Sequence, residues 1–98
     1  MKEVITVTKN GIAKKSELEE YRLQKRGGKG IIGIKMNEGD EIIETLVIDG
    51  EEEILVSSAN GMIIRVNLQD IRQSGRNTSG VRIIALSDND KVVNATLI

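Results

Sequence analysis

Val4-Ile5-Thr6-Val7-Thr8-Lys9-Asn10-Gly11-Ile12-Ala13-Lys14-Lys15 is answered fifty residues later by Ile54-Leu55-Val56-Ser57-Ser58-Ala59-Asn60-Gly61-Met62-Ile63-Ile64. In each stretch an aliphatic, β-branched run meets Asn-Gly and then a second short run, the pattern of a β-hairpin. Asn-Gly accepts the positive φ angles of a tight type I′ turn, so that turn is expected at both tips. Working outward, every position from Glu3 to Ile48 finds its counterpart between Glu53 and Ile98 without a gap, and ten of the 46 pairs are identical, Asn10/Asn60, Gly11/Gly61, Arg26/Arg76, Gly30/Gly80 and Asp40/Asp90 among them. A repeat of this period marks stacked or radially arranged units that share a core.

Each copy continues with a polar stretch (Glu17 to Leu23, Asn67 to Gln73) that suits a helical turn or an irregular strand. A Gly- or Ser/Thr-rich loop follows, then a short apolar strand (Ile31 to Met36, Val81 to Leu86), a turn, and a last strand (Glu41 to Ile48, Lys91 to Ile98). The expectation is an all-β chain of two four-stranded blades in a propeller-like arrangement, residues 1–50 forming the first and 51–98 the second. Two blades cannot close a ring. Sheet edges would stay open at both ends, which fits an excerpt from a longer array or a chain that completes the ring by self-association.

Composition narrows the function. There is no Phe, Trp, Cys or His and one Tyr, so Ile, Val and Leu must form a thin core. Without Cys there is no disulfide framework or thiolate metal site, and without His the usual general base and the commonest metal ligand are missing. We therefore expect no catalytic residues, no metal site and no cofactor bound by this chain. No apolar run approaches a membrane span and no signal-peptide pattern opens the chain, so the expected location is cytoplasmic, away from any membrane.

The net charge of −1 hides a segregation. Positions 9 to 35 carry eight basic residues against three acidic; positions 36 to 53 carry eight acidic and no basic; positions 54 to 98 carry five basic against three acidic. Such patterning can present a positive face despite a near-neutral total. At the centre of the basic segment lies Gln24-Lys25-Arg26-Gly27-Gly28-Lys29-Gly30. Glycines let backbone N–H groups approach a phosphate closely, while Arg supplies a planar fork and Lys a mobile charge. The loop lacks the Gly-Lys-Ser/Thr of a nucleotide-binding P-loop. It does contain the Gly-x-x-Gly of a KH domain, but the repeat has no place for the helix pair that flanks such a loop. A Gly-rich turn whose charges only keep it soluble remains the plain alternative.

The same loop resembles the gyrase A box, usually Gln-Arg-Arg-Gly-Gly-Lys-Gly, with Lys at position 25. Lys9-Asn10-Gly11, Glu38-Gly39-Asp40-Glu41, Ala59-Asn60-Gly61-Met62, Asp70-Ile71-Arg72 and Gly75-Arg76-Asn77-Thr78-Ser79-Gly80-Val81-Arg82 look like successive blades of the gyrase A C-terminal domain, which is shared with topoisomerase IV. The resemblance implies a β-pinwheel whose basic rim bends and wraps duplex DNA. It would be an accessory module of an ATP-dependent topoisomerase, DNA gyrase, acting with the rest of the gyrase A polypeptide and with gyrase B in negative supercoiling. The 24–30 loop is either the box itself or a box-like loop of a later blade. On this reading Gln24, Lys25, Arg26, Gly27, Gly28, Lys29 and Gly30 hold DNA, with Lys25, Arg26 and Lys29 as main phosphate contacts and Arg65, Arg72, Arg76 and Arg82 as secondary ones. Tyr21 stands opposite Ile71 in the repeat and reads as a packing residue. Glu38, Asp40 and Glu41 fall in a turn whose counterpart in the second repeat holds Asp88, Asp90 and Lys91, so turn chemistry accounts for them. The reading from another class is a propeller-type protein–protein module docking through the acidic stretch from Glu38 to Glu53.

Overall fold

The computed structural model describes residues 2–17, 39–49, 52–71 and 80–98. Seven strands are present among them: β1 (Glu3–Thr8), β2 (Ile12–Glu17), β3 (Ile42–Ile48), β4 (Glu53–Ser58), β5 (Ile63–Asn67), β6 (Val81–Arg82) and β7 (Val92–Leu97), with a single 3-10 turn at Leu68–Asp70. They form two antiparallel sheets, ordered β3-β1-β2-β6 and β5-β4-β7. The chain is all-β, as its β-branched runs predict. The expected strand at Ile31 to Met36 and the loop at 24–30 lie outside the described residues.

Both hairpins form, with Val7 opposite Ala13 and Ser57 opposite Ile63. Their turns differ from the expected type I′. Among the described residues no residue other than Gly has positive φ, so Asn10 and Asn60 stay right-handed while Gly11 (φ +86°) and Gly61 (φ +94°) take the left-handed position. The Gly11 N–H donates to the Thr8 carbonyl at 3.0 Å and the Gly61 N–H to the Ser58 carbonyl at 3.1 Å. This is a three-residue loop, a type I turn closed by a glycine bulge, which needs positive φ at one residue rather than two. Side chains select it: the Thr8 hydroxyl accepts from the Ile12 N–H and the Ser58 hydroxyl from the Met62 N–H.

The two sheets repeat each other down to their irregularities. Each central strand shifts register against its C-terminal neighbour at the same place, after Val7 in one and after Ser57 in the other, leaving Ile43 and Val93 as the bulged residues. The difference lies in the fourth strand. The expected long strand from Val81 to Leu86 is only Val81–Arg82 as a strand, and it pairs with β2, Ile12 opposite Arg82 and Ala13 opposite Val81. The first sheet thus takes its edge strand from the second half of the sequence, while the second sheet has three strands among the described residues.

One core serves both halves. Ile5, Val7, Ala13 and Ile48 from the first repeat pack with Ile54, Val56, Leu68, Ile71, Ile84, Val92 and Ala95 from the second, all buried. Strand β4 alternates buried and half-buried positions as a one-sided strand should, whereas β1 is buried at five successive positions from Val4 to Thr8. Backbone bonds stitch the repeats together: the Ile83 N–H donates to the Gly11 carbonyl and the Val92 N–H to the Lys9 carbonyl, both at 2.8 Å. Gly80 lies so close to β2 that a Cβ there would sit 2.7 Å from the Ala13 carbonyl oxygen, which only glycine avoids.

Candidate nucleic-acid interface

Of the eleven predicted DNA contacts, Arg65 and Arg82 are described; Gln24 through Gly30, Arg72 and Arg76 lie outside the described residues. Arg82 stands on β6 with its guanidinium over the first hairpin tip, Nη1 donating to the Asn10 carbonyl at 3.3 Å. Arg65 projects from β5, its side chain 62% exposed and its Nε 3.8 Å from Glu53 Oε2. An exposed pair of that kind contributes little, on the order of 0–1 kcal/mol.

The first hairpin tip gathers further cations. The Val92 N–H bonds the Lys9 carbonyl, which brings the backbone of Lys91 close to that of Lys9, and Arg82 reaches the next carbonyl along. Lys9 itself lies 3.9 Å from Glu41, a loose contact between a half-buried lysine and an exposed carboxylate. Sequence reasoning does not single out Lys9 and Lys91. Their grouping depends on a contact between repeats, and the only sequence signal is their placement next to the two repeated features, Asn10-Gly11 and Asp90.

Two other lysines leave the surface altogether. Lys14 is 2% and Lys15 7% exposed. Lys15 Nζ donates to the Leu68 carbonyl at 3.0 Å, an inward bond from the first repeat to the 3-10 turn of the second. The basic balance of positions 9 to 35 therefore overstates the charge available to a partner by two residues. Both cations occupy a strand whose other face is also covered, something local charge counting cannot show.

The acidic stretch is similarly engaged. Asp40 Oδ1 accepts from the Asn10 and Glu41 N–H groups at 3.0 and 2.9 Å, and Asp90 Oδ1 accepts from the Asn60 and Lys91 N–H groups at 2.9 and 2.8 Å. These aspartates tie the last turn of each repeat to its hairpin tip. For Asp90, partial burial pulls the carboxyl upward, yet the donors around it, the Ser58 hydroxyl and the backbone N–H groups of Asn60, Lys91 and Ala59, together outweigh this and leave its pKa below the ordinary 3.8. Asp49 pairs with Lys2 at 3.0 Å, and the Glu52 carboxylate accepts from the Asp49 N–H. Among the described residues no group of His, Cys, Asp or Glu is placed to hold a metal ion, and no helix is long and apolar enough to cross a membrane.

Comparison with known proteins agrees with this architecture. The family described as "DNA gyrase C-terminal domain, beta-propeller" matches residues 2–49 and again 52–98. The DNA gyrase A protein of Campylobacter fetus is 40% identical over 93 residues, covering 94% of this chain and 11% of that protein. Its counterpart in Metamycoplasma arthritidis is 42% identical over 93 residues, covering 95% of this chain and 10% of its own length. The chain thus spans about a tenth of these relatives. Among solved structures, the C-terminal domain of DNA topoisomerase IV superposes with a TM-score of 0.86 at 25% identity, over 99% of this chain and 30% of that one. The DNA gyrase A C-terminal domain gives 0.84 at 23% identity, over 98% and 31%. With both repeats matched and both sheets superposed on β-pinwheel domains, the chain belongs to the DNA gyrase A C-terminal domain family.

Proposed function

We propose that this chain is a non-catalytic module that binds and wraps duplex DNA for a type IIA topoisomerase, bending it around a basic rim and so assisting negative supercoiling. Membership of the gyrase A C-terminal domain family, matched in both repeats, is the observation that carries the reading. The rim's main contacts are Lys25, Arg26 and Lys29 on the backbone-exposing loop Gln24 to Gly30, whose Gly27, Gly28 and Gly30 admit the phosphate. Arg65, Arg72, Arg76 and Arg82 are secondary, and the corner formed by Lys9, Arg82 and Lys91 extends the same positive surface. Recognition works through the phosphate backbone and through the bendability of the duplex, since a curved cationic rim stabilises only DNA that follows it. Within the whole enzyme the partners are the remainder of the gyrase A polypeptide and gyrase B, in the cytoplasm, and the ATP-dependent chemistry belongs to them.

Docking of a protein through residues 38 to 53 is the less supported reading, because Asp40, Glu41, Asp49 and Glu52 already take part in turn caps and ion pairs. The test is duplex affinity as a function of salt, with and without Lys25→Ala, Arg26→Ala and Lys29→Ala combined. Each lost phosphate contact removes about 0.9 from the slope of log affinity against log salt, so the triple variant should lose about 2.7. An unchanged affinity and slope sinks the proposal. Nicked-circle ligation then separates wrapping from plain binding, since wrapping alone shifts the linking number of the closed product.

A further inference from the structure

The first hairpin tip is gripped from two sides, by charged groups of opposite sign. From its own repeat, the Glu41 carbonyl accepts the Lys9 N–H at 2.8 Å and Asp40 Oδ1 accepts the Asn10 N–H at 3.0 Å. From the second repeat, the Val92 and Ile83 N–H groups donate to the carbonyls of Lys9 and Gly11, both at 2.8 Å, and Arg82 Nη1 donates to the Asn10 carbonyl at 3.3 Å. Asn10 is thus held at its N–H by a carboxylate and at its carbonyl by a guanidinium. The carboxylate is itself braced, since the same Oδ1 accepts from the Glu41 N–H at 2.9 Å. Asp40 is half-buried and Arg82 exposed. On charge alone a carboxylate here opposes any anion that approaches Arg82. The bond is nonetheless repeated, for Asp90 Oδ1 holds the Asn60 and Lys91 N–H groups in the same way.

We infer that Asp40 is a positioning residue for the phosphate contact of Arg82: it fixes the Asn10 backbone, whose carbonyl in turn fixes the guanidinium, so that a carboxylate improves the grip on a polyanion. Backbone donors cannot supply that grip at the tip. The N–H groups of Lys9, Asn10, Gly11 and Ile12 already donate to the Glu41 carbonyl, Asp40, the Thr8 carbonyl and the Thr8 hydroxyl. Recognition there falls to side-chain cations, whose long stems lose rotamer freedom when they bind. Tying Nη1 to Asn10 orders the Arg82 side chain in the free protein and presents its other N–H groups as a fixed fork. Loss of the Asp40 bond frees one face of the tip and with it the carbonyl that holds Arg82. The ligand in this inference rests on the DNA reading; the role of Asp40 rests on the geometry of the tip.

Duplex affinity across a range of salt, measured for the 98-residue chain and for Asp40→Ala, Asp40→Asn and Asp40→Glu, separates positioning from charge by the sign of the effect. If charge alone mattered, the alanine and asparagine variants would both bind more tightly than the wild type and the glutamate variant would be unchanged. Positioning reverses the first of these: Asp40→Ala should bind about three- to tenfold more weakly, the fold-change of one net hydrogen bond. Its slope of log affinity against log salt should lose up to about 0.9, as for Arg82→Ala. Asparagine keeps an oxygen that can accept from the Asn10 and Glu41 N–H groups, so Asp40→Asn should bind at least as tightly as the wild type. Asp40→Glu keeps the charge one methylene further out and should weaken binding as alanine does, which keeps the test open if Asp40→Ala does not fold. In an Arg82→Ala background Asp40→Ala should weaken binding no further. A readout without DNA is the proton–nitrogen nuclear Overhauser effect of the Arg82 Nε–H, which should fall in Asp40→Ala and hold in Asp40→Asn. An alanine variant that binds as tightly as the wild type or better overturns the inference, as does an equal loss in the Arg82→Ala background or an Arg82 signal indifferent to Asp40→Ala. A wild-type chain that does not bind duplex overturns the DNA reading instead, and the Arg82 signal still decides the role of Asp40.

Discussion

Asp90 illustrates how a single residue joins elements that are far apart in sequence. Its Oδ1 holds the N–H groups of Asn60 and Lys91, and accepted hydrogen bonds keep its pKa below 3.8 despite partial burial. A depressed carboxyl pKa contributes stability that is fully present above the unfolded value and is lost as pH falls through the folded value. The melting-temperature difference between the wild type and Asp90→Ala should accordingly be constant from neutral pH down to about 5 and shrink toward zero in the acid range below the ordinary carboxyl value. A difference that persists undiminished at the lowest accessible pH would assign the effect to packing. Gly80 gives the complementary case, where absence of a side chain is the requirement. Gly80→Ala combines a left-handed φ of +86° with a Cβ pressed on the Ala13 carbonyl and should cost about 3 kcal/mol in urea titration. Gly39→Ala, with similar φ but open space, should cost only about 1–2 kcal/mol.

Among the elements, β2 bears the contact between repeats. Its outer edge pairs with β6, and Lys15 reaches the Leu68 carbonyl, which also accepts from the Ile71 N–H. Lys15→Ala leaves that carbonyl one partner but removes a charge-assisted bond and the packed methylene stem, so a loss of about 1–2 kcal/mol is expected by chemical denaturation. The repeat supplies the rescue variant, since the equivalent position already holds Arg65. Lys15→Arg should recover most of the loss, and an arginine as damaging as alanine would show that the bond to Leu68 contributes little. The hairpins at Asn10-Gly11 and Asn60-Gly61 were legible in the sequence, yet their turn type was not. Asn-Gly is compatible with both the I′ turn and the glycine bulge, and the hydroxyls of Thr8 and Ser58 decide in favour of the latter.

For the whole molecule, the consequence of a core drawn from both repeats is that neither is a folding unit by itself. Ile5 and Ile48 share one cluster with Ile54, Leu68 and Ile84, and the first sheet lacks its edge without Val81–Arg82. Urea unfolding followed by far-ultraviolet dichroism and by hydrogen exchange should therefore give a single coincident transition, and a fragment of residues 1–50 should remain unfolded. Two separable transitions would mean that the shared cluster is dispensable. The predicted basic rim has the same dependence on assembly. Its glycine-rich basic stretch at 24–30 is plain in the sequence, while the approach of Arg82 and of the Val92 backbone to the first hairpin tip exists only because one repeat docks on the other.

The sequence by itself determined the all-β class, the two hairpins and the fifty-residue period, because each of these is written in local residue types and their spacing. Tertiary structure alone decided that Val81–Arg82 completes the first sheet instead of the second and that Lys14 and Lys15 are both buried. These outcomes depend on which repeat covers which edge. A period of fifty residues is silent on that point, because the same alternation of apolar and polar residues fits a strand paired within its own repeat or lent to its neighbour.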